Sequence, residues 1–309
     1  MLAVLFLFSC SGPATPPIYE APPSAEPAHQ TVADIVAEKD KPKVTKINPD
    51  ELTTALAPEE AITLEWDFSK NEEIRYEYVQ RGLAKGRRNN EIIPKQEQFI
   101  EGVVRVRSLG DGTALLVMKE MNANLTGEAY TTFNWGSPNS STLYEVSENG
   151  LIDAGNDDGE LFSHFMFPLP PKPTKVGTSI KLPVETPFDA AGTTVYATGE
   201  TVVTLSRLVE LESGRAAEIK TETKVPPKHV SQGVVGSHSL AVTSSSVFYF
   251  DLETRAFIAG YVDLTMALES TLPGSMVIEG QRIVMSPTPI SMRIEMTTEI
   301  ELNRAFDSP

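Results

Sequence analysis

Hydrophobic and polar residues alternate along most of the chain after residue 60. The alternation covers 62–68 and 74–78, and it returns over 292–302, where Met292, Ile294 and Met296 would share one face. A period of two predicts β-strands that have one buried and one solvated face. At about 3.3 Å per residue, the segment 292–302 would extend roughly 36 Å. We therefore predict an all-β body that forms a large curved antiparallel sheet or an open half-barrel.

Turn residues separate the strand-like segments. Asn149-Gly150 lies between two short apolar segments, which is a strong hairpin signal, and Ser213-Gly214 predicts a second hairpin. A proline-rich block at 167–173 divides the body near its middle. The body at 61–309 therefore has two candidate halves, 61–166 and 176–309. The sequence leaves open whether these halves are related and whether they share one sheet.

The first sixty residues differ in composition from the body. Residues 11–30 are rich in proline, alanine and serine, and they cannot bury enough apolar surface to offset chain entropy. Lys39 to Lys46 is a charged stretch that contains Pro42, and Asp50 could cap a short helix through Leu56. We interpret 10–60 as a disordered linker with transient helix, which holds the body away from its anchor.

Charge and cysteine content narrow the functional classes. The net charge of −16 argues against a nucleic-acid partner, because phosphates require cations. A single cysteine excludes an internal disulfide and a thiolate metal cluster. His229 and His238 could bind a metal from neighbouring strands, but no third ligand has a recognisable spacing. No catalytic motif occurs. We therefore predict no enzymatic activity, no cofactor and no metal site.

The chain begins with eight apolar residues, Met1 to Phe8, which Ser9 and Cys10 follow. Eight residues are too few for a helix to cross a bilayer, which takes about 20. The segment is typical of the short apolar core of a secretory signal, and we assign residues 1–9 to a signal peptide.

Leu7-Phe8-Ser9-Cys10 resembles the lipobox of bacterial lipoproteins. The resemblance implies that a signal peptidase cuts before Cys10 after its sulfur has been acylated, so that palmitate-type chains attach the protein to a lipid bilayer. It also implies a location in the cell envelope. Ser11 in place of Asp favours the outer membrane, with the body facing the periplasm or the surface.

The whole layout resembles uncharacterised β-rich envelope lipoproteins and, more loosely, half-barrel proteins that carry lipid or lipoprotein across the periplasm. This resemblance implies a fold and a compartment. Adjacent aromatic residues at 248–250 would place rings on both faces of a strand, so one face needs a cover: the protein's own loop, a partner or an apolar ligand.

We therefore expect a non-enzymatic, membrane-anchored envelope protein that binds an apolar or lipid-like ligand, or a partner, on a concave β face. The alternative is a structural or assembly subunit whose sheet edge pairs with another envelope protein. The residues assigned to ligand binding are the aromatic ones that cluster in a few segments: Phe248, Tyr249, Phe250, Phe165 and Trp135.

Overall fold

The structure is a computed structural model. The residues that it describes are 47, 52–56, 58–69, 73–126, 141–150, 152–153, 166–189, 194–211, 214–231, 237–272, 275–278, 281–284 and 288–302. Within them no helix is long and apolar enough to cross a membrane.

The regular elements of the described residues are β-strands, several of which run for 15 to 18 residues. In chain order they are β1 (Thr53–Thr54), β2 (Glu73–Arg88), β3 (Glu91–Ser108), β4 (Thr113–Thr126), β5 (Ser141–Ser147), β6 (Ile152–Asp153), β7 (Thr178–Asp189), β8 (Thr194–Leu211), β9 (Gly214–Ser231), β10 (Ser237–Asp251), β11 (Ala256–Leu272), β12 (Ser275–Ile278), β13 (Gln281–Val284) and β14 (Thr288–Leu302).

Twelve of these strands form one antiparallel sheet in the order β1-β8-β9-β10-β11-β14-β2-β3-β4-β5-β6, with β7 paired to β8 beside β1. The remaining two strands, β12 and β13, pair only with each other. The sheet is open, because its two edges do not pair with each other. The predicted all-β class with a large antiparallel sheet is therefore confirmed.

The two candidate halves contribute to a single sheet. Residues 61–166 supply the meander β2 to β6, and residues 176–309 supply β7 to β11 and β14. The last strand joins them, because β14 pairs with β11 on one side and with β2 on the other. The β14–β2 ladder runs from Ile290 opposite Arg88 to Leu302 opposite Tyr76.

The two faces of the sheet differ in chemistry, as the sequence alternation predicts. On β14, Met292, Ile294 and Met296 are buried, while Arg293 is exposed and Glu295 is partly exposed. We call the face of Met292 and Ile294 the buried face and that of Arg293 and Glu295 the polar face. Neighbouring strands keep this division, because the register places buried residues opposite buried ones.

An aromatic cluster closes one end of the buried face. Trp66 packs with ring centroids 5.1 Å from Phe257, 5.8 Å from Phe167 and 6.3 Å from Phe250. The Phe167 ring also lies 4.9 Å from that of Tyr76. Trp66 and Phe167 come from segments outside the sheet, so the chain supplies its own cover for the buried face.

The segment 62–68 differs from its prediction as a strand. It makes a single isolated bridge, in which the Ile62 and Thr174 backbones exchange hydrogen bonds of 3.0 and 2.9 Å. Leu64, Trp66 and Phe68 are all buried. Its alternation therefore arises because every second side chain enters the core, and not because the segment extends the sheet.

Two glycines permit large rings to lie against the backbone of the next strand. Gly260 is directly opposite Phe248, and Gly102 is directly opposite Tyr78. In each pair the ring occupies the space where a Cβ of the glycine would stand. The aromatic ring covers the glycine backbone, which has no side chain of its own, and this pairing favours a single register of the two strands.

Part of the stretch that we interpreted as linker packs on the body. Ile47 and Leu52 contact the sheet, and the Ala55 N–H donates to the Leu208 carbonyl over 2.9 Å. Thr53 and Thr54 form β1, so the helix predicted from Asp50 through Leu56 does not form. Pairing with the exposed edge of β8 outweighs the weak helix signal there.

We expect Trp66→Ala to lower the free energy of unfolding by about 3–5 kcal/mol, because it removes a fully buried ring that four other rings contact. Urea unfolding measures the change. Ile92→Ala, at a side chain that is 78% exposed, should change stability by less than about 0.5 kcal/mol. Equal effects of the two substitutions would contradict the assignment of Trp66 to the core.

Candidate functional site

A strap of residues 47 and 52–56 covers one end of the polar face. Ile47 and Leu52 pack on a small apolar cluster with Val209, Ala216 and Tyr249. The Tyr261 hydroxyl donates to the Ile47 carbonyl over 2.9 Å. The strap therefore reaches from β8 to β11.

A buried ionic network lies beside this strap. The Glu218 side chain is only 2% exposed, and it accepts hydrogen bonds from Arg207 at 2.8 Å and from the Tyr249 hydroxyl at 3.3 Å. Lys220 lies 3.1 Å from its other carboxylate oxygen. Arg207 also reaches the Thr54 hydroxyl in the strap, 3.4 Å away. We interpret this network as structural, because its charged groups pair with one another and connect strands β8 and β9 to the strap.

Burial and neighbouring groups shift the pKa values of Glu218 and Tyr249 in this network. Burial alone would raise the pKa of Glu218, but hydrogen bonds from Arg207 and Lys220 outweigh burial and hold the pKa below its usual value. The pKa of Tyr249 is raised, first by burial and then by the neighbouring Glu218 carboxylate. Glu218 is therefore ionised and Tyr249 is neutral at neutral pH.

An open cleft of about 1510 Å³ lies next to the strap and crosses seven adjacent strands, β8-β9-β10-β11-β14-β2-β3. Two rows of polar-face residues line it, together with residues between those rows. The strand register aligns the first row as Val202, Glu222, Ser245, Asp263, Thr297, Arg81 and Phe99, and the second as Glu200, Lys224, Thr243, Thr265, Glu295, Leu83 and Glu97.

Acidic groups outnumber basic ones in the cleft, which contains five carboxylates and two cations. Three carboxylates have a lysine neighbour: Glu97 is 2.7 Å from Lys95, Glu200 is 2.8 Å from Lys181, and Glu295 is 3.7 Å from Lys85. Among the residues that the structure describes, Glu222 and Asp263 are in no ion pair. These two flank Ser245, one on each neighbouring strand.

Hydroxyl groups fill the middle of the cleft. Thr243, Thr265 and Thr297 line it together with Ser245. The guanidinium of Arg81 lies 5.6 Å from the Phe99 ring centroid and 3.4 Å from Glu299. The surface therefore offers many hydrogen-bond acceptors, and its two carboxylates without an ion pair in the described part of the chain lie among them.

The backbone between the two polar rows forms the floor of the cleft, and the buried side chains of that intermediate row point to the opposite face of the sheet. Among them, Gln98 Oε1 and Ser244 Oγ have no hydrogen-bond partner within the part of the chain that the structure describes. Leaving such a group unsatisfied costs about 1–3 kcal/mol, so ordered water is its usual partner, and neither group faces a ligand in the cleft.

Three of the five predicted ligand-binding residues, Phe248, Tyr249 and Phe250, lie away from this cleft. Phe248 and Phe250 belong to the aromatic core, where Phe257 contacts both rings. Tyr249 lies on the opposite face, beneath the strap. Of the three covers considered for this aromatic segment, the structure therefore shows the protein's own segments. Phe165, Trp135 and Cys10 lie outside the described residues.

The two body histidines that could have shared a metal are on adjacent strands, as required, but on opposite faces. His238 is buried with its Nδ1 2.9 Å from the Ser270 hydroxyl, and His229, opposite Ser239, is exposed. The described residues contain no group of three or more potential metal ligands. The site that sequence reasoning missed is the cleft, because its rows depend on the register of seven strands.

Comparison with known proteins assigns the chain to no family. No protein-family model and no curated protein matches the chain. A solved structure on lipid–protein interactions in lipovitellin is similar, with 11% identity and a TM-score of 0.38. The match covers 74% of this chain and 25% of that one, so the chain spans about a quarter of the lipovitellin chain.

We expect Glu218→Gln to lower the free energy of unfolding by roughly 2 kcal/mol at pH 7, because it weakens bonds to two cations. The lowered pKa of Glu218 means that its contribution is present above about pH 4.3, the ordinary Glu pKa, and is lost as pH falls through the folded value. Urea unfolding between pH 7 and pH 3 should show the difference between the two proteins shrinking. Glu222→Gln, at an exposed carboxylate on the same face of β9, is the control and should change the stability at pH 7 by less than about 0.5 kcal/mol.

Proposed function

We propose that this protein is a lipid-anchored, non-enzymatic envelope protein that binds a positively charged, extended segment of a partner polypeptide in the polar cleft. The observation that carries the proposal is the alignment of two acidic and hydroxyl-rich rows across seven strands. The anchor rests on the lipobox-like Leu7-Phe8-Ser9-Cys10, and the envelope location rests on that anchor.

The dimensions and charges of the cleft suit such a segment. Seven strands spaced by about 4.8 Å span roughly 29 Å, which is the length of about nine extended residues. Glu222 and Asp263 near the centre have no ion pair in the described part of the chain, so they can accept cations from a partner. Hydroxyls on the intervening strands can bond backbone groups. Complementary charge would favour both encounter and specificity.

Pairing of a partner with the β7 sheet edge has less support. The described edge strand β7 contains Pro183 and Pro187, and proline has no N–H to donate to an added strand. The prolines therefore oppose the alternative function, edge-to-edge assembly, at this edge.

An apolar or lipid-like ligand stays a prediction. The apolar side chains of the described buried face are almost wholly enclosed, for example Leu264, Met266 and Met292. The open cleft carries five carboxylates and several hydroxyl groups, which is why we favour a cationic, polar partner.

The anchor is tested by growth with radiolabelled palmitate. We expect the natural chain to take up label and the Cys10→Ser variant to take up none, because the lone cysteine offers the sulfur for acylation. Fractionation of the same cells should place the natural chain with membranes. An unlabelled natural chain would remove the anchor from the proposal.

Partner binding is tested with nona-lysine as the probe and the full Cys10→Ser chain in solution. We expect saturable binding at low ionic strength that weakens as salt rises, because exposed charges are screened. Replacing the two carboxylates that lack an ion pair, in a Glu222→Gln/Asp263→Asn variant, should weaken binding about tenfold. Isothermal titration calorimetry measures the dissociation constants.

The matched control is Glu145→Gln/Glu185→Gln, which removes two exposed carboxylates outside the cleft. It should leave the affinity for nona-lysine within about twofold. Equal weakening by both variants would mean a general charge effect and would contradict the cleft as the site. Binding of a neutral chito-oligosaccharide in place of nona-lysine would assign the cleft to a glycan instead.

A further inference from the structure

We propose that the lysine-bearing segment 39–46 of the same chain occupies the polar cleft when no partner is bound. This inference rests on the proposed function, because it assigns the same cleft an internal occupant. It follows from where the chain reaches the sheet, which charges it carries there, and how far it can extend.

The chain reaches the polar face beside the cleft. Ile47 packs on the apolar cluster under the strap, and its carbonyl accepts the Tyr261 hydroxyl at 2.9 Å. Tyr261 is two residues before Asp263 on the same face of β11, so about 6.6 Å of strand separates them. Ile47, the first described residue after the segment, is therefore attached to the sheet close to Asp263.

The charges of the segment and the cleft are opposite. Residues 39–46 contain Lys39, Lys41, Lys43 and Lys46 and a single acidic residue, Asp40. The cleft presents five carboxylates against two cations. In a chain of net charge −16, this is the densest run of lysines, and it directly precedes the point of attachment.

The segment is long enough to cross the cleft. Eight residues extend at most about 26–29 Å, which equals the width of seven strands. Lys43 is four residues before Ile47, so its backbone can reach about 13 Å from the attachment point. That distance covers both Asp263 and Glu222 on the first row, which are two strands apart. Lys41 and Lys39 can then continue toward one edge of the cleft.

Occupation by this segment has a consequence for binding. A cationic partner must displace residues 39–46, so its apparent affinity is reduced by the fraction of chains in which the cleft is already filled. Displacement would also release the chain between Cys10 and Ile47, so that the body could move further from the anchor. The segment would thereby couple partner binding to distance from the membrane.

Trypsin provides the test, because residues 1–38 contain no lysine or arginine and the first cleavage sites lie in the segment itself. The full Cys10→Ser chain is digested at low ionic strength with no ligand present, and mass spectrometry follows cleavage after Lys39, Lys43 and Lys46. A Glu222→Lys/Asp263→Lys variant should be cut on the order of fivefold faster than its parent, because cleavage follows the undocked population.

The matched control is Glu145→Lys/Glu185→Lys, which makes the same charge change outside the cleft and should leave the cleavage rate unchanged. Equal rates in all three proteins, or equal acceleration by both double variants, would overturn the inference.

A second readout keeps the natural charges of the cleft. In the Cys10→Ser chain, a reduced Lys43→Cys/Ser245→Cys pair treated with oxidised glutathione, which accepts the two electrons, should form an intramolecular disulfide faster at low salt than in a parallel reaction at high salt, whereas Lys43→Cys/Glu185→Cys should form none. Absence of the first disulfide would overturn docking at the centre of the cleft. Neither readout uses a partner, so nona-lysine binding can fail while docking stands, and docking can fail while nona-lysine binds.

Discussion

The enclosure of one face of the sheet by the chain's own aromatic residues determines the rest of the structure. Trp66 and Phe167 enter from outside the sheet and fill the space between Tyr76, Phe250 and Phe257. A large apolar face left in water would cost roughly 25 cal/mol per Å², so this cover is the main reason that the open sheet is stable as a separate body. The charged and hydroxyl side chains of the described strands lie on the other face, and the cleft lies there.

The cleft depends on strands from both ends of the sequence. Glu222 and Asp263 come from the later strands, whereas Leu83 and Glu97 come from β2 and β3. The β14–β2 ladder brings these groups together, and it pairs the last strand with the first long one. The site therefore forms only after the contacts of greatest sequence separation have formed, and neither half of the body could supply it alone.

Sequence alternation was sufficient to predict the all-β class and strands such as 292–302, and the turn pair predicted the Asn149-Gly150 hairpin, where Gly150 has φ of 81°. It was wrong for 62–68, because a segment that enters a core can alternate without pairing. The strap was missed because Ile47 and Leu52 are isolated apolar residues in a polar stretch. The cleft was not predictable, since a period of two identifies faces, while the order and register of strands decide which polar residues become neighbours.

Strand β9 shows why equivalent residues in a sequence can have different roles. Glu218, Lys220, Glu222 and Lys224 alternate along one face and are indistinguishable by pattern. Glu218 lies beside the strap, where Arg207 and Lys220 neutralise it and its burial makes that pairing necessary. Glu222 is about 13 Å further along the strand, beyond the strap, and remains exposed and without an ion pair in the described part of the chain. The strap therefore divides the polar face into a part whose charges hold the fold together and a part whose charges are available for binding. Residues 39–46 and their four lysines directly precede Ile47 in the sequence, so the segment that we propose as the occupant of the cleft adjoins the strap that creates this division.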